Sequence, residues 1–409
     1  MIIHSHPTGN FNVRMTAKAL YEAELLEEFH SCLCLPKSNF IINIFGKKVR
    51  EEYERRVFLN IPQKLQFSHP YREIARIANQ RLNIINNDNH KISGISIDSI
   101  YKDFDSQIAA RLKNNDKARA IYAYEDGAKN SFKQAKKSGI KCIYELPIGY
   151  WKSARNIFEE EKAINPEWAS TLTGLNDSNE KLERKDEELA RADDIIVASK
   201  FTKETLAQCN MTNKNTHIIP YCTPAMITTN EPTIGKDSLR ILYVGSLTQR
   251  KGISYAIDAV DQLGEAVTLT IIGKKNTCEC KKLNNALERF SWYESLPHNR
   301  ILEQMRLHDV LLFPTLFDGF GLVITEALSQ GLPIITTKNS GGPECIRNGI
   351  EGYIVPIRDV NAISMCLEGL SKDRDKLKQM KLNCIKRARS LNYDRFSKNL
   401  ITVIKDIIS

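Results

Sequence analysis

Residues 313–337 read FPTLFDGFGLVITEALSQGLPIITT, and three changes of pattern within that stretch decide the fold. The apolar run Leu311–Phe313 stops at Pro314. From Leu322 to Gln330 the apolar residues recur at helical spacing and end on Gly331. Ile334–Thr337 then resumes a short β-branched run. A buried strand, a helix closed by glycine and a second buried strand make the β-α-β unit of a parallel sheet covered on both faces. The alternation continues outward. RILYVG (240–245), VTLTIIG (267–273), DVLLFP (309–314), PIITT (333–337) and GYIVP (352–356) read as strands, with SYAIDAVDQLG and AISMCLEGL as helices. The pattern predicts a doubly wound α/β domain from about Asp237 to Arg387.

The first half follows the same logic. AIYAYE (120–125), KCIYELP (141–147) and DIIVAS (194–199) are strand candidates. VRMTAKALYEAELLEEF (13–29) reads as one helix, and EKLERKDEELAR (180–191) as a charged helix whose Leu182 and Leu189 lie seven residues apart. Pro220–Lys236 carries three prolines without periodicity and reads as a linker. The expected division is therefore an N-terminal Rossmann-like domain over 1–222 and a C-terminal one over 223–389, with a cleft between their strand ends.

Composition narrows the class. The 409 residues are 42% hydrophobic and 26% charged, which excludes wholesale disorder and a polytopic membrane protein. The net charge of +9 is gathered at Lys47, Lys48, Arg50, Arg55 and Arg56, at Lys129, Lys133, Lys136 and Lys137, and from Lys372 to Arg389. These clusters read either as solvated helix faces or as contacts to an anionic membrane. They lack the interleaved aromatics of a base-stacking surface, so no nucleic-acid partner is expected. The ten cysteines are spread thinly, and the pairs Cys32/Cys34 and Cys278/Cys280 are C-x-C without a matching histidine set. MIIHSHPTGN has no signal-peptide pattern and no apolar run is long enough to span a bilayer. The expectation is a cytoplasmic protein with reduced thiols; any membrane contact would be peripheral and on the inner face.

Three fragments at strand ends carry candidate chemistry. In VGSLTQRKG, Arg250 and Lys251 stand side by side just before a helix, against the preference of the macrodipole, so an anion is expected to compensate them; exposed loop charges are the alternative. In DGFGLVITE, Gly319 and Gly321 bracket Phe320 ahead of a helix whose first amides can donate to an oxygen-rich ligand. Asp318 precedes that helix and Glu326 lies within it, so both can face one crevice; the alternatives are an N-cap for Asp318 and an exposed helical position for Glu326. In NSGGPECIRNGIEGYIVP, Gly341 and Gly342 relieve the backbone near Glu344.

In this order, and over most of residues 238–409, these fragments resemble the retaining GT-B glycosyltransferases of family four, the group 1 transferases marked by two acidic residues with seven between them. The resemblance implies two facing Rossmann-like domains and a closing segment, NYDRFSKNLITVIKDI within 390–409, that crosses back onto the N-terminal domain. It implies sugar transfer from a nucleotide sugar to a saccharide or lipid-linked acceptor on the side of the N-terminal domain, in lipopolysaccharide or capsule assembly; no metal or other cofactor is expected, because Arg250 and Lys251 stand where a divalent ion would balance the diphosphate and no paired-Asp motif accompanies them. By the same resemblance Glu326 accepts from the ribose hydroxyls and Asp318 from the donor sugar. Gly319, Phe320, Gly321 and Leu322 lie near that sugar, Gly245 and Ser246 belong to the donor loop, and Lys251, aided by Arg250, neutralises the departing diphosphate. Gly9 in HPTGNFNVR lets backbone approach the diphosphate, with Asn10, Asn12 and Arg14 as further contacts.

The sequence also departs from the family. Asp318 replaces the usual glutamate, Ser246 stands where arginine is common, and the strand AIYAYEDGA ends in Glu125, Asp126 and Gly127 where a histidine is common. Glu125 and Asp126 read as sugar-binding carboxylates or as a helix cap. His4 and His6 read as local structural residues, and Tyr150, Trp151, Lys152 and Arg155 as an acceptor path or as packing. Two other readings stay open: a sugar-nucleotide epimerase or phosphorylase on the same fold, and a non-catalytic nucleotide-sugar-binding or regulatory subunit.

Overall fold

Strands that are apolar along their whole length need cover on both faces, and this chain provides it with two all-parallel sheets flanked by helices. The computed structural model describes residues 1–37, 50, 53–82, 94–209, 214–224, 238–277 and 279–409. Among them, the first sheet comprises β1 (Ile2–Ser5), β2 (Leu26–Ser31), β3 (Gln66–Ser68), β4 (Ala120–Tyr124), β5 (Lys141–Leu146), β6 (Asp194–Val197) and β7 (Asn215–Ile218), in the order β3-β2-β1-β4-β5-β6-β7. The second comprises β8 (Leu239–Val244), β9 (Val267–Ile272), β10 (Ser291–Tyr293), β11 (Val310–Phe313), β12 (Ile334–Thr337) and β13 (Gly352–Val355), in the order β10-β9-β8-β11-β12-β13. The order reverses between β1 and β4 and again between β8 and β11. Loops leaving those strands therefore diverge and open the crevices in which ligands bind to such sheets.

One sequence expectation is corrected. Residues 13–29 are not one helix: the helix Phe11–Glu22 stops, Glu24 takes a left-handed turn (φ 58°), and the chain re-enters the sheet as β2. Tertiary partners invisible to local spacing decide this. Leu26 and Phe29 pair with Ile2 and His4 of β1 and are buried, and the Glu28 carboxylate is held by His30 (2.8 Å) and Arg111. The closing helix, Tyr393–Ile408, does cross back. Its Tyr393 hydroxyl donates to Glu22 (2.5 Å), Lys18 sits over the Tyr393 ring (3.7 Å), and Phe396, Leu400 and Ile404 enter the N-terminal core.

Much of the basic surface is internally paired: Lys129 with Glu187, Lys136 with Asp193 and Arg56 with Glu73. Lys47 and Lys48, Cys278 and most of the expected linker lie outside the described residues; Cys32, Cys34 and Cys280 are free thiols. Among the described residues no helix is long and apolar enough to cross a membrane.

The two sheets are joined by a buried anion. Glu161, on the helix Trp151–Ile164, is fully buried and accepts from Gln249 Nε2 (2.7 Å), the Tyr255 hydroxyl (2.8 Å) and Arg358 Nε (2.8 Å), all from the C-terminal half. Arg358 also pairs with Glu160 (2.9 Å), so loss of Glu161 removes the shared acceptor of three groups rather than stranding a charge, and a hydrogen bond to a charged group is worth about 1.5–3 kcal/mol. Glu161→Ala should therefore lower the midpoint of thermal unfolding and broaden the small-angle scattering profile as the halves separate; an unchanged profile and midpoint would show that the halves are held together without it.

Candidate functional site

The loop leaving β1 is shaped by a histidine. His6 Nδ1 accepts from the amides of Thr8 and Gly9, both at 3.0 Å. Gly9 has φ +66°, and a Cβ there would lie 2.3 Å from the Phe58 ring, so only glycine fits. Asn10 then caps the helix Phe11–Glu22 by accepting from the Val13 amide (3.2 Å). Arg14 fastens the loop from below, donating to the carbonyls of Gly9 (3.0 Å) and Val57 (2.6 Å), and Asn12 donates to the buried Glu145 (3.4 Å). His4 is buried, with Nε2 3.2 Å from the Tyr124 hydroxyl.

On the opposite sheet the loops leaving β8 and β11 are stitched together. The Arg250 carbonyl accepts from the Leu316 amide (2.9 Å) and the Thr315 hydroxyl (3.0 Å), while Arg250 Nη1 donates to the Phe317 carbonyl (3.0 Å). That stitching sets the Lys251 ammonium against the Asp318 carboxylate. Burial favours the neutral form of both groups. Lys251, followed by Arg250, nevertheless holds the Asp318 carboxyl below its ordinary range, and the Phe320 amide adds to this. Lys251 itself is drawn below its usual value by burial, assisted by Arg250. Asp318 is thus an ionised, preplaced acceptor whose cation partner is itself destabilised by burial.

The loop after Asp318 turns inward. The Gly319 carbonyl accepts from the Ser199 (2.5 Å) and Thr202 (3.0 Å) hydroxyls of the N-terminal half, and a Cβ on Gly319 would lie 1.9 Å from the Pro147 carbonyl oxygen. The Phe320 ring packs edge-on against Tyr221 (centroids 5.1 Å apart). Beyond Gly321 the helix Leu322–Ser329 starts without a side-chain cap. A cavity of about 830 Å³ lies here between the sheets, with Gly9, Asn10 and Arg14 on one wall and Leu322, Glu326 and His298 on the other. This is the size and setting of a small-molecule site. His298 Nε2 lies 3.0 Å from Glu326 Oε1, and that bond raises the His298 pKa above its ordinary value.

The structure brings Gly9, Leu322 and Glu326 into one cavity, and gathers Asp318, Lys251 and Arg250 at the adjoining strand ends. Gly245 extends β8, its amide donating to the Ile272 carbonyl (3.0 Å), and Ser246 lines a second, smaller cavity. Gly319 and Phe320 serve chiefly to dock the two halves. Glu125 and Asp126 are not brought to the large cavity. Glu125 is held by Lys185 (3.0 Å), Asp126 by Arg184 (3.2 Å), and the Asp126 and Ala128 amides donate to Glu188 (2.8 and 3.1 Å), whose carboxyl burial pushes up to about 8. The charged helix Asn179–Arg191 supplies these partners, so its charges are an internal clamp. Sequence reasoning missed His298; the available signal was Pro297 opening the helical run His298–Leu307 after β10.

Residues 228–390 match the model of the glycosyl transferases of group 1. Among curated relatives, the amylovoran biosynthesis glycosyltransferase AmsK of Erwinia amylovora is 29% identical over 33% of this chain and 36% of its own length. The putative colanic acid biosynthesis glycosyltransferase WcaL of Salmonella typhimurium is 26% identical over 41% of this chain and 45% of its own. The chain thus matches less than half the length of either. Sucrose-phosphate synthase from Thermosynechococcus elongatus superposes over 99% of this chain and 98% of its own, with TM-score 0.67 and 15% identity. Anabaena HepE, solved with UDP and glucose, superposes over 99% of both chains with TM-score 0.61 and 14% identity. At such identities the likeness establishes the fold, and that fold is GT-B.

Burial lowers the pKa of His6 to about 3, so its imidazole is neutral and Nδ1 is free to accept. The unfolded chain takes up a proton near pH 6.5 that the folded loop refuses. Stability is therefore complete above that pH and falls as pH drops toward 3, by roughly 2 kcal/mol at pH 5 for this residue. His4, likewise lowered to about 3, by burial and then by His6 and His30, adds a similar loss. His6→Asn keeps an acceptor but cannot titrate, so urea midpoints at pH 7.5 and 5.0 should differ less in that variant than in wild type. An equal difference would remove His6 from this role.

Proposed function

We propose, from the match of residues 228–390 to the group 1 glycosyl transferases, that this chain moves a sugar from a nucleotide-sugar donor to a saccharide or lipid-linked saccharide acceptor, with retention at the anomeric carbon. One observation carries the reading. The 830 Å³ cavity opposes the glycine-bearing loop of the first sheet to the uncapped start of the helix Leu322–Ser329, with a carboxylate, Glu326, inside it. Bare amides favour phosphate oxygens, and a carboxylate one turn further favours a diol such as a ribose. In this reading Glu326, oriented by His298, accepts from the ribose. Asp318 accepts from the donor sugar, and the Lys251 ammonium passes from Asp318 to the diphosphate as its negative charge grows on departure. A cation already desolvated beside the reacting atoms stabilises such charge without reorganising. The relatives named for amylovoran and colanic acid biosynthesis support a place in extracellular polysaccharide assembly.

The two carboxylates separate in titration. Glu326→Ala should weaken binding of free nucleoside diphosphate about tenfold, since the ribose contact is present with or without the sugar. Asp318→Ala should leave that affinity within about threefold while turnover falls roughly a hundredfold. Loss of nucleotide binding in Asp318→Ala, or an unaffected rate, would reduce Asp318 to a structural partner of Lys251.

We also propose that Arg250 and Lys251 do the work a divalent ion would otherwise do at the diphosphate. Turnover should then be unchanged by EDTA and by added Mg²⁺ or Mn²⁺; activity that vanishes with chelation and returns with metal contradicts this.

A further inference from the structure

A second cavity, of about 240 Å³, lies between the halves beside the Phe317 side of the same loop. The helix Trp151–Ile164 begins at it, with Trp151, Ala154 and Arg155 in its lining; that helix has no side-chain N-cap and no acidic residue in its first turn. Facing it from the C-terminal half are Thr248 and Arg250. Thr248 is 4% exposed and its Oγ1 has no hydrogen-bond partner.

Charge is unbalanced here. Two of the lining charges are already neutralised, Lys185 by Glu125 (3.0 Å) and Asp177 by Lys181 (2.9 Å). Among the described residues neither Arg155 nor Arg250 has an ion pair. Arg155 stands over the Trp151 ring (5.4 Å), and Asp318 is taken by Lys251. Two guanidinium groups without an ion pair, a buried hydroxyl without a partner and an uncapped helix start therefore meet in one cavity, and each of the four can be met by oxygens of an anion. The remaining wall, Trp151, Phe158 and Phe317, offers apolar surface to the C–H face of a sugar ring.

We propose that this cavity binds the acceptor through an anionic group, a phosphate or a carboxylate carried on its saccharide. Arg155 and Thr248 are its dedicated contacts. Arg250 is shared with the donor side, its chain neighbour Lys251 being the one that meets Asp318. This assignment rests on reading the larger cavity as the donor site, and it confines the substrate to acidic or phosphorylated acceptors.

Isothermal titration tests it with glucose 1-phosphate, glucuronate, glucose and inorganic phosphate as probes. One or both charged sugars should bind wild type about tenfold or more tighter than glucose, and whichever is tighter identifies the anion. Arg155→Gln should weaken that binding about tenfold and Thr248→Val about threefold, while both keep wild-type affinity for nucleoside diphosphate. Glu326→Ala should do the reverse, keeping the charged sugar and losing nucleotide, so failure of the donor reading is told apart from failure of this one. Equal affinity for glucose and the charged sugars, or no effect of Arg155→Gln, overturns the proposal. Inorganic phosphate binding as tightly as glucose 1-phosphate would reduce the site to an ion site and overturn it as well.

Discussion

The ion pair between Lys251 and Asp318 is the constraint on which the site depends. A lysine and an aspartate largely withdrawn from solvent at the ends of β8 and β11 are each costly alone, and the two loops are held in register around them by Arg250. That lock explains why the turn Gln249–Lys251 and the segment Thr315–Asp318 are joined backbone to backbone. It also explains why Gly319 and Phe317 can be given over to docking, with Phe317 between Phe158 and Phe201 while the carboxylate between them stays in place. On the proposed reading, a ligand bringing more negative charge than one carboxylate would draw the lysine away and free Asp318 to accept from a hydroxyl.

The first sheet contributes by complement. Its strand-end loop carries no charge into the large cavity except Arg14, and Arg14 is engaged with backbone carbonyls. What it offers is amide surface, folded by a neutral His6 around a glycine that cannot be replaced. Glu54 and Arg55, from another segment of the same half, also line the cavity beside it. Glu161 keeps the walls facing by tying the helix after β5 to Gln249, the residue preceding Arg250. Domain docking and site geometry thus share the same short turn.

The second sheet was readable in the sequence because its strands are largely apolar and two of its helices are closed by Gly264 and Gly331; β8, β9, β11, β12 and β13 fall within a residue or two of the expected runs. The first sheet was harder. β1, β3 and β7 are short, and β2, with two glutamates and a histidine, reads locally as helix until Arg111 and His30 are seen to hold Glu28. The site divides similarly. Glu326, Asp318 and Lys251 were legible because their chemistry lies within one strand-loop-helix each. His298 was not, because only the fold carries it from β10 across to Glu326. Glu125 and Asp126 carry the right chemistry, but their partners, Lys185 and Arg184, sit some sixty residues later and absorb it.

On the proposed reading one turn of bare amides and one displaceable ammonium fit the cleft to two phosphates. Comparing nucleoside diphosphate with the matching monophosphate by calorimetric titration tests it most directly. The diphosphate should bind one per chain and about tenfold or more tighter than the monophosphate, and Lys251→Met should erase that difference while leaving the monophosphate affinity unchanged. Equal affinity of wild type for the two nucleotides, or a difference that survives Lys251→Met, would contradict it.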